Sequence, residues 1–175
     1  MAEDKTNPMR QILIEKVTVN IGVGSPGDKL ENAKTLLNRL TGGKSPVETR
    51  ARKRDPVFKL RKGLPIGCKV TLRGPSATEF VTKALAAKRK TLKASNFDRN
   101  GNFAFGVHEY IDFPGAKYDP SIGMLGFDVC VSLGRRGSRI GVRRLRPAKV
   151  GKHHKVTTEE AIEFAKNAFS AKIEG

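Results

Sequence analysis

Val17, Val19, Ile21 and Val23 alternate with Lys16, Thr18, Asn20 and Gly22. That two-residue period predicts a strand with one apolar and one polar face. GSPGD breaks it, and Asp28 is placed to cap a helix carrying Leu30, Ala33, Leu36, Leu37 and Leu40 on one stripe. TGG ends that helix, and residues 46–52 read as a second strand. A third, residues 66–73, sets Cys68, Val70 and Leu72 against Lys69, Thr71 and Arg73. GPSATEF opens a second helix, with Ser76 and Glu79 at capping-box spacing and Pro75 suited to the first turn. Its buried face is Phe80, Val81, Ala84 and Leu85. A loop rich in Gly, Asn and aromatics then leads to a short strand at residues 105–111. In the next strand Phe127, Val129, Val131 and Leu133 share a side. Thr157 and Glu160 form another capping-box pair, ahead of a last helix striped by Ala161, Ile162, Ala165, Phe169 and Ile173.

Consecutive strands without crossover helices favour a mainly antiparallel sheet with helices packed on one face. The other face is left for a ligand. Residues 1–9 read as a flexible polar tail, and residues 10–175 as a single α+β domain, including a long basic loop, a basic segment at 135–155 and the C-terminal helix.

Charge changes the picture most. The 175 residues carry a net +17, a self-repelling surface that favours a polyanion as partner. The cations fall in three blocks: 50–73, 83–99 and 135–155. The first holds nine basic residues against the lone acid Asp55, and reads as a mobile basic loop feeding a strand. The last contains no acid, and its Arg135, Arg136, Arg139 and Arg143 offer planar forks for phosphate. Phe58, Phe97, Phe103 and Phe105 interleave with the cations, which weakens the alternative of a merely solvating surface. RNA is favoured over DNA, because no helix is basic along one face as a major-groove reader requires. A polar sheet face with a flexible arm suits an irregular RNA surface.

Other chemistries are poorly supported. No apolar run reaches the roughly eighteen residues of a spanning helix, no basic amphipathic helix suits a membrane surface, and MAEDKTNP is unlike a signal peptide. Cys68 and Cys130 fall in separate strand patterns and read as two buried thiols in a reducing cytoplasm, with neither a disulfide nor a metal site implied. The adjacent His153 and His154 sit among cations that repel a metal, and read as solvated or phosphate-contacting. No cofactor and no catalytic motif emerges. GVGSPG, residues 22–27, spells a dinucleotide fingerprint after a strand and before a helix, with Glu48 about twenty residues on. Pro26 removes a donor there and Asp28 puts a negative charge where a pyrophosphate would bind, so a tight turn is the better reading. Tight binding of NAD or ATP would restore a nucleotide-dependent enzyme. Equal affinity for any polyanion would support a third alternative, a non-specific basic RNA chaperone.

Four stretches, EKVTVNIGVG (15–24), TRARK to GLPIGCKVTLRG (49–74), FDRNGNFAFGVHE (97–109) and FPGAKYD (113–119), resemble the family of the universal fifth protein of the large ribosomal subunit. The resemblance runs in order from Arg10 to Leu133. The C-terminal part is similar to archaeal and eukaryotic members, and the short N-terminal arm to archaeal ones. It implies a two-layer α+β sandwich and a non-enzymatic role on the cytoplasmic ribosome. In that role the protein binds 5S ribosomal RNA, helps attach it in the central protuberance, and reaches the elbow of the P-site tRNA through the loop between the second and third strands. Carried over by position, the RNA-facing residues include Lys16, Asn20, Lys44, Thr71 and Arg73. The tRNA loop corresponds to residues 54–62, with Arg54, Phe58, Lys59, Arg61 and Lys62, and Asp55-Pro56-Val57 stands where bacterial members carry small residues. If the first and third strands are neighbours, Lys16, Thr18, Asn20, Lys69, Thr71 and Arg73 form one polar plate. The segment 135–155 is open to large-subunit rRNA, to neighbouring proteins of the protuberance, or to both. A small-subunit bridge protein is a further partner the resemblance allows.

Overall fold

The computed structural model describes residues 7–174. Five strands form one antiparallel sheet: β1 (Ile12–Gly22), β2 (Val47–Arg50), β3 (Pro65–Leu72), β5 (Phe103–Val107) and β6 (Phe127–Arg135), in the spatial order β2-β3-β1-β6-β5. The two remaining strands, β4 (Thr91–Lys93) and β7 (Lys172–Glu174), pair in parallel as a separate ribbon. Helices α1 (Asp28–Leu40) and α2 (Pro75–Ala87) turn their apolar stripes to the sheet, and α3 (Thr158–Phe169) joins the same core. The result is the expected two-layer α+β architecture.

Period-two burial explains the layering. Val17, Val19 and Ile21 of β1, Cys68, Val70 and Leu72 of β3, and Phe127, Val129, Val131 and Leu133 of β6 are all buried. They meet Leu30, Ala33, Leu36 and Leu37 from α1 and Ala77, Phe80, Val81, Ala84 and Leu85 from α2 in one cluster. Phe80, Phe113 and Phe127 pack ring against ring, with Phe80 and Phe113 centroids 5.1 Å apart. Each buried side chain of this size contributes about 1.5–3 kcal/mol, so the inner face holds the fold and the outer face is free of that duty.

Several local expectations shift. Asp28 does not cap α1; Gly27 takes that position at φ +128°, and Asp28 and Glu31 sit in the first turn, where the helix dipole favours acids. The pair Ser76 and Glu79 forms no capping box, because Pro75 starts α2 directly after Gly74 and draws Ser76 inside the helix. The pair Thr157 and Glu160 does form one, each side chain accepting from the other's backbone N–H. Helix α3 stops at Phe169, where Ser170 turns left-handed at φ +52°, so Ile173 belongs to β7. The strand expected at 105–111 is β5, two residues earlier, and a 3-10 turn at Tyr110–Asp112 follows it. The second strand is shorter than 46–52, at Val47–Arg50. Of the expected N-terminal tail, residues 1–6 lie outside the described residues, while Arg10 N–H donates to the Asn7 carbonyl in a turn.

Candidate nucleic-acid interface

The polar face of the sheet is built by register. Thr18 lies opposite Thr71 and Asn20 opposite Lys69, while Val17 opposite Leu72 sets Lys16 beside Arg73. Across the other edge of β1, Ser132, Cys130 and Asp128 face Lys16, Thr18 and Asn20. Beyond them Ala104 and Gly106 of β5 leave the surface low. The six predicted side chains therefore share one plate, and β6 adds a third row. Gly67 lets the neighbouring strands approach closely beside it, since a Cβ there would sit 2.5 Å from the Ile21 carbonyl oxygen and 2.9 Å from Thr49 Oγ1. The Arg73 guanidinium donates to the Glu15 carbonyl at 3.3 Å.

Cys130 corrects the reading of two buried thiols. Cys68 is in the core, where burial pushes its thiol up to about 11, whereas Cys130 is exposed on the plate. Partial burial, and secondarily Asp128, raise the Cys130 thiol. The alternation of β6 already held this answer, since residue 130 is out of phase with Val129 and Val131. The general tendency of cysteine to be buried pointed the other way.

Lys44 does not join the plate. It is half-buried in a hollow shared with Ser76, Glu79 and Lys83, between the end of α1 and the start of α2. Arg135 is a second correction. It is only 9% exposed, its guanidinium pairs with Glu160 and donates to the His153 carbonyl at 3.2 Å, and no fork remains for phosphate. Strand phase explains this as well: 127, 129, 131, 133 and 135 all point inward. Arg136, Arg139 and Arg143 are exposed as expected. Arg143 Nε donates to the Arg146 carbonyl at 2.8 Å, which bends the segment on itself. His154 Nε2 lies 2.8 Å from the Arg136 carbonyl, so this histidine fastens the neck of the basic segment rather than standing free.

The loop at 51–64 is shaped by hydrogen bonds of its own. Asp55 and Leu60 exchange backbone hydrogen bonds at 3.0 and 2.8 Å, Ala51 N–H donates to the Leu64 carbonyl, and Val57 N–H is held by Asp55 Oδ1 at 3.0 Å. The result is a small hairpin whose tip exposes Val57 (84%) and Phe58 (72%). Arg54, Lys59, Arg61 and Lys62 surround that tip, all exposed. Lys59 takes a left-handed φ of +54° to close the turn. Of the four phenylalanines that interleave with cations, only Phe58 is available to a ligand, since Phe97, Phe103 and Phe105 are buried. Lys88 lies 5.8 Å from the Phe105 ring centroid, so the middle basic block partly packs on the core.

The GVGSPG turn is not a phosphate cradle. Val23 and Gly24 N–H both donate to the Ile66 carbonyl, Gly24 and Gly27 have positive φ, and β1 has only antiparallel neighbours. β1 therefore has no parallel partner for the βαβ crossover that a dinucleotide site at this turn needs. Glu48 is held by Lys34 at 2.8 Å, which lowers its carboxyl below the ordinary value.

Known proteins resemble the chain over nearly its whole length. The sequence model for the C-terminus of the ribosomal L5 family matches residues 65–164, and that described as ribosomal protein L5 matches residues 7–61. The large ribosomal subunit protein uL5 of Sulfurisphaera tokodaii is 51% identical over 175 residues, covering 99% of this chain and 98% of its own. Its counterpart in Pyrobaculum aerophilum is 49% identical over 170 residues, 97% and 94% of the two chains. That of Methanococcus maripaludis strain C5 is 48% identical over 169 residues, 95% and 93%.

Proposed function

The chain belongs to the L5 family of large-subunit ribosomal proteins, which are structural proteins and not enzymes, and from that premise we propose that its open sheet face binds 5S ribosomal RNA and helps seat it in the central protuberance. The observation that carries this reading is the plate. Lys16, Thr18, Asn20, Lys69, Thr71 and Arg73 stand on two adjacent strands in one register, with the buried apolar side chains of β1, β3 and β6 on the opposite side. Cations at the ends suit phosphate, and the short hydroxyl and amide groups between them suit 2′-hydroxyls and base edges.

The hairpin tip with Phe58, flanked by Arg54, Lys59, Arg61 and Lys62, is a separate contact directed at the P-site tRNA. An exposed ring among cations is suited to stacking on an unpaired base or packing on a sugar. Asp55, which fixes Val57, shapes the tip from within. Arg136, Arg139 and Arg143 face large-subunit rRNA or a neighbouring protein of the protuberance. In this reading residues 10–175 act as one RNA-binding domain, basic segment and last helix included.

The test is binding of the purified protein to 5S rRNA and to a scrambled RNA of equal length across a salt series. Counterion release weakens both together. Affinity for 5S rRNA that persists where the scrambled RNA has dissociated supports specific recognition, and coincident curves refute it. Lys59→Ala and Arg61→Ala should leave 5S affinity near wild type and alter tRNA positioning on assembled ribosomes; loss of 5S binding would mean the loop serves the 5S contact instead.

A further inference from the structure

Ile14 lies opposite Leu133 and Lys16 opposite Ser132, so β1 holds one residue more than β6 at this point. The extra residue is Glu15. The bulge resets the phase of the strand: Ile12 and Ile14 pack against the core instead of facing outward, and Glu15 is delivered to the exposed side next to Lys16. Bulges that re-aim a charged side chain are typical of functional surfaces.

The position Glu15 reaches is a built one. Its carboxylate stands over Gly134, where an added Cβ would lie 3.5 Å from Glu15 Oε2 and 3.7 Å from Ser138 Oγ. Gly134 does not occupy the left-handed region, so what its missing side chain supplies is room. The room opens into a cleft of about 470 Å³ between the sheet and the basic segment, walled by Val142 and Val150 and edged by Lys16, Ser132 and Lys155. Among the described residues the Glu15 carboxylate has no hydrogen bond or ion pair. Arg135, in the wall of the same cleft, has a buried Nε that also finds no hydrogen-bond partner.

An unpaired carboxylate on a surface of such positive charge is wrong for phosphate and right for an N–H donor. A ribose 2′-hydroxyl offers a carboxylate one O–H, whereas base edges offer N–H donors that can meet both of its oxygens. Guanine offers two parallel donors, N1–H and the 2-amino group, that match both carboxylate oxygens. Apolar walls receive the ring, and Lys16 and Lys155 lie at the mouth where its phosphates would run. We infer that the cleft receives one unpaired nucleotide of the bound RNA, with Glu15 reading the donor edge of its base and guanine the best match. This rests on the RNA-binding reading above.

Glu15→Gln keeps the size of the side chain, removes one negative charge and turns one acceptor into a donor. If Glu15 only repels the backbone, the variant binds every RNA more tightly. If it reads a base, affinity for 5S rRNA falls by about tenfold or more while affinity for a scrambled RNA holds or rises. Gly134→Val, which narrows the cleft beside Glu15 without changing the net charge, should reproduce the loss for 5S rRNA. Both positions are on the surface, and thermal unfolding of each variant near that of wild type confirms the fold. Tighter binding of both RNAs by Glu15→Gln, or 5S affinity equal to wild type in both variants, overturns the inference. A wild-type protein that does not prefer 5S rRNA overturns the RNA reading itself, whatever the variants do.

Discussion

Asn20 and Thr71 stand one step apart along the β1–β3 ladder, Asn20 facing Lys69 and Thr71 facing Thr18. Neither packs in the core. Changing both to Ala should weaken 5S binding by about 1–3 kcal/mol, the range for a few net hydrogen bonds, and leave stability within about 0.5 kcal/mol. Paired RNA-binding and urea-unfolding curves would check this, and full-strength binding by the folded double variant would refute the plate. At this scale much was legible, because a strand's period of two fixes which side chains share a face before any neighbour is known. Thr18, Asn20, Lys69 and Thr71 came directly from phase. Phase also held the answers for Cys130 and Arg135, where residue-type habits, buried cysteine and exposed arginine, pointed the wrong way. Lys44 lies outside any strand and had no period to place it.

Between elements, the neck of the basic segment is the feature with a measurable energy. Arg135 at the end of β6 reaches Glu160 in the first turn of α3 and the His153 carbonyl just before it, while His154 returns to the Arg136 carbonyl. Residues 136–152 are thus a loop tied at both ends. Arg135→Met should cost about 1–3 kcal/mol in urea unfolding, since it removes charge-assisted hydrogen bonds yet leaves Glu160 partly in water. Backbone amides of 136–152 should exchange faster with solvent; unchanged exchange would show that the loop is held by other contacts. Long periodic elements were legible and short ones were not. Strands β4 and β7 have three residues each, too few to display a period, and their pairing joins distant parts of the chain. The bulge at Glu15 hid the first four residues of β1, because Ile12 and Ile14 run out of step with Val17 and Val19.

Across the whole molecule, two demands oppose each other: a net charge of +17 and a compact core. Raising ionic strength from about 0.01 M to about 1 M shortens the screening length from about 30 Å to about 3 Å. The melting temperature should therefore rise with salt over the range in which RNA affinity falls; a melting temperature that fell or stayed level would mean the cations do not strain the fold. Strands β1 and β2, matched by one family segment, lie against β3 and β6, matched by the other. Melting should accordingly follow one cooperative transition for residues 10–175, checked by calorimetric and van't Hoff enthalpies that agree. The placement of the two cysteines on opposite faces also gives the protein an internal footprinting label. A thiol-alkylating reagent at mildly alkaline pH should modify Cys130 in the native chain and Cys68 only on unfolding. Occupation of the plate by RNA should then appear as protection of Cys130 alone, so that one mass spectrum reads ligand occupancy from one thiol and fold integrity from the other.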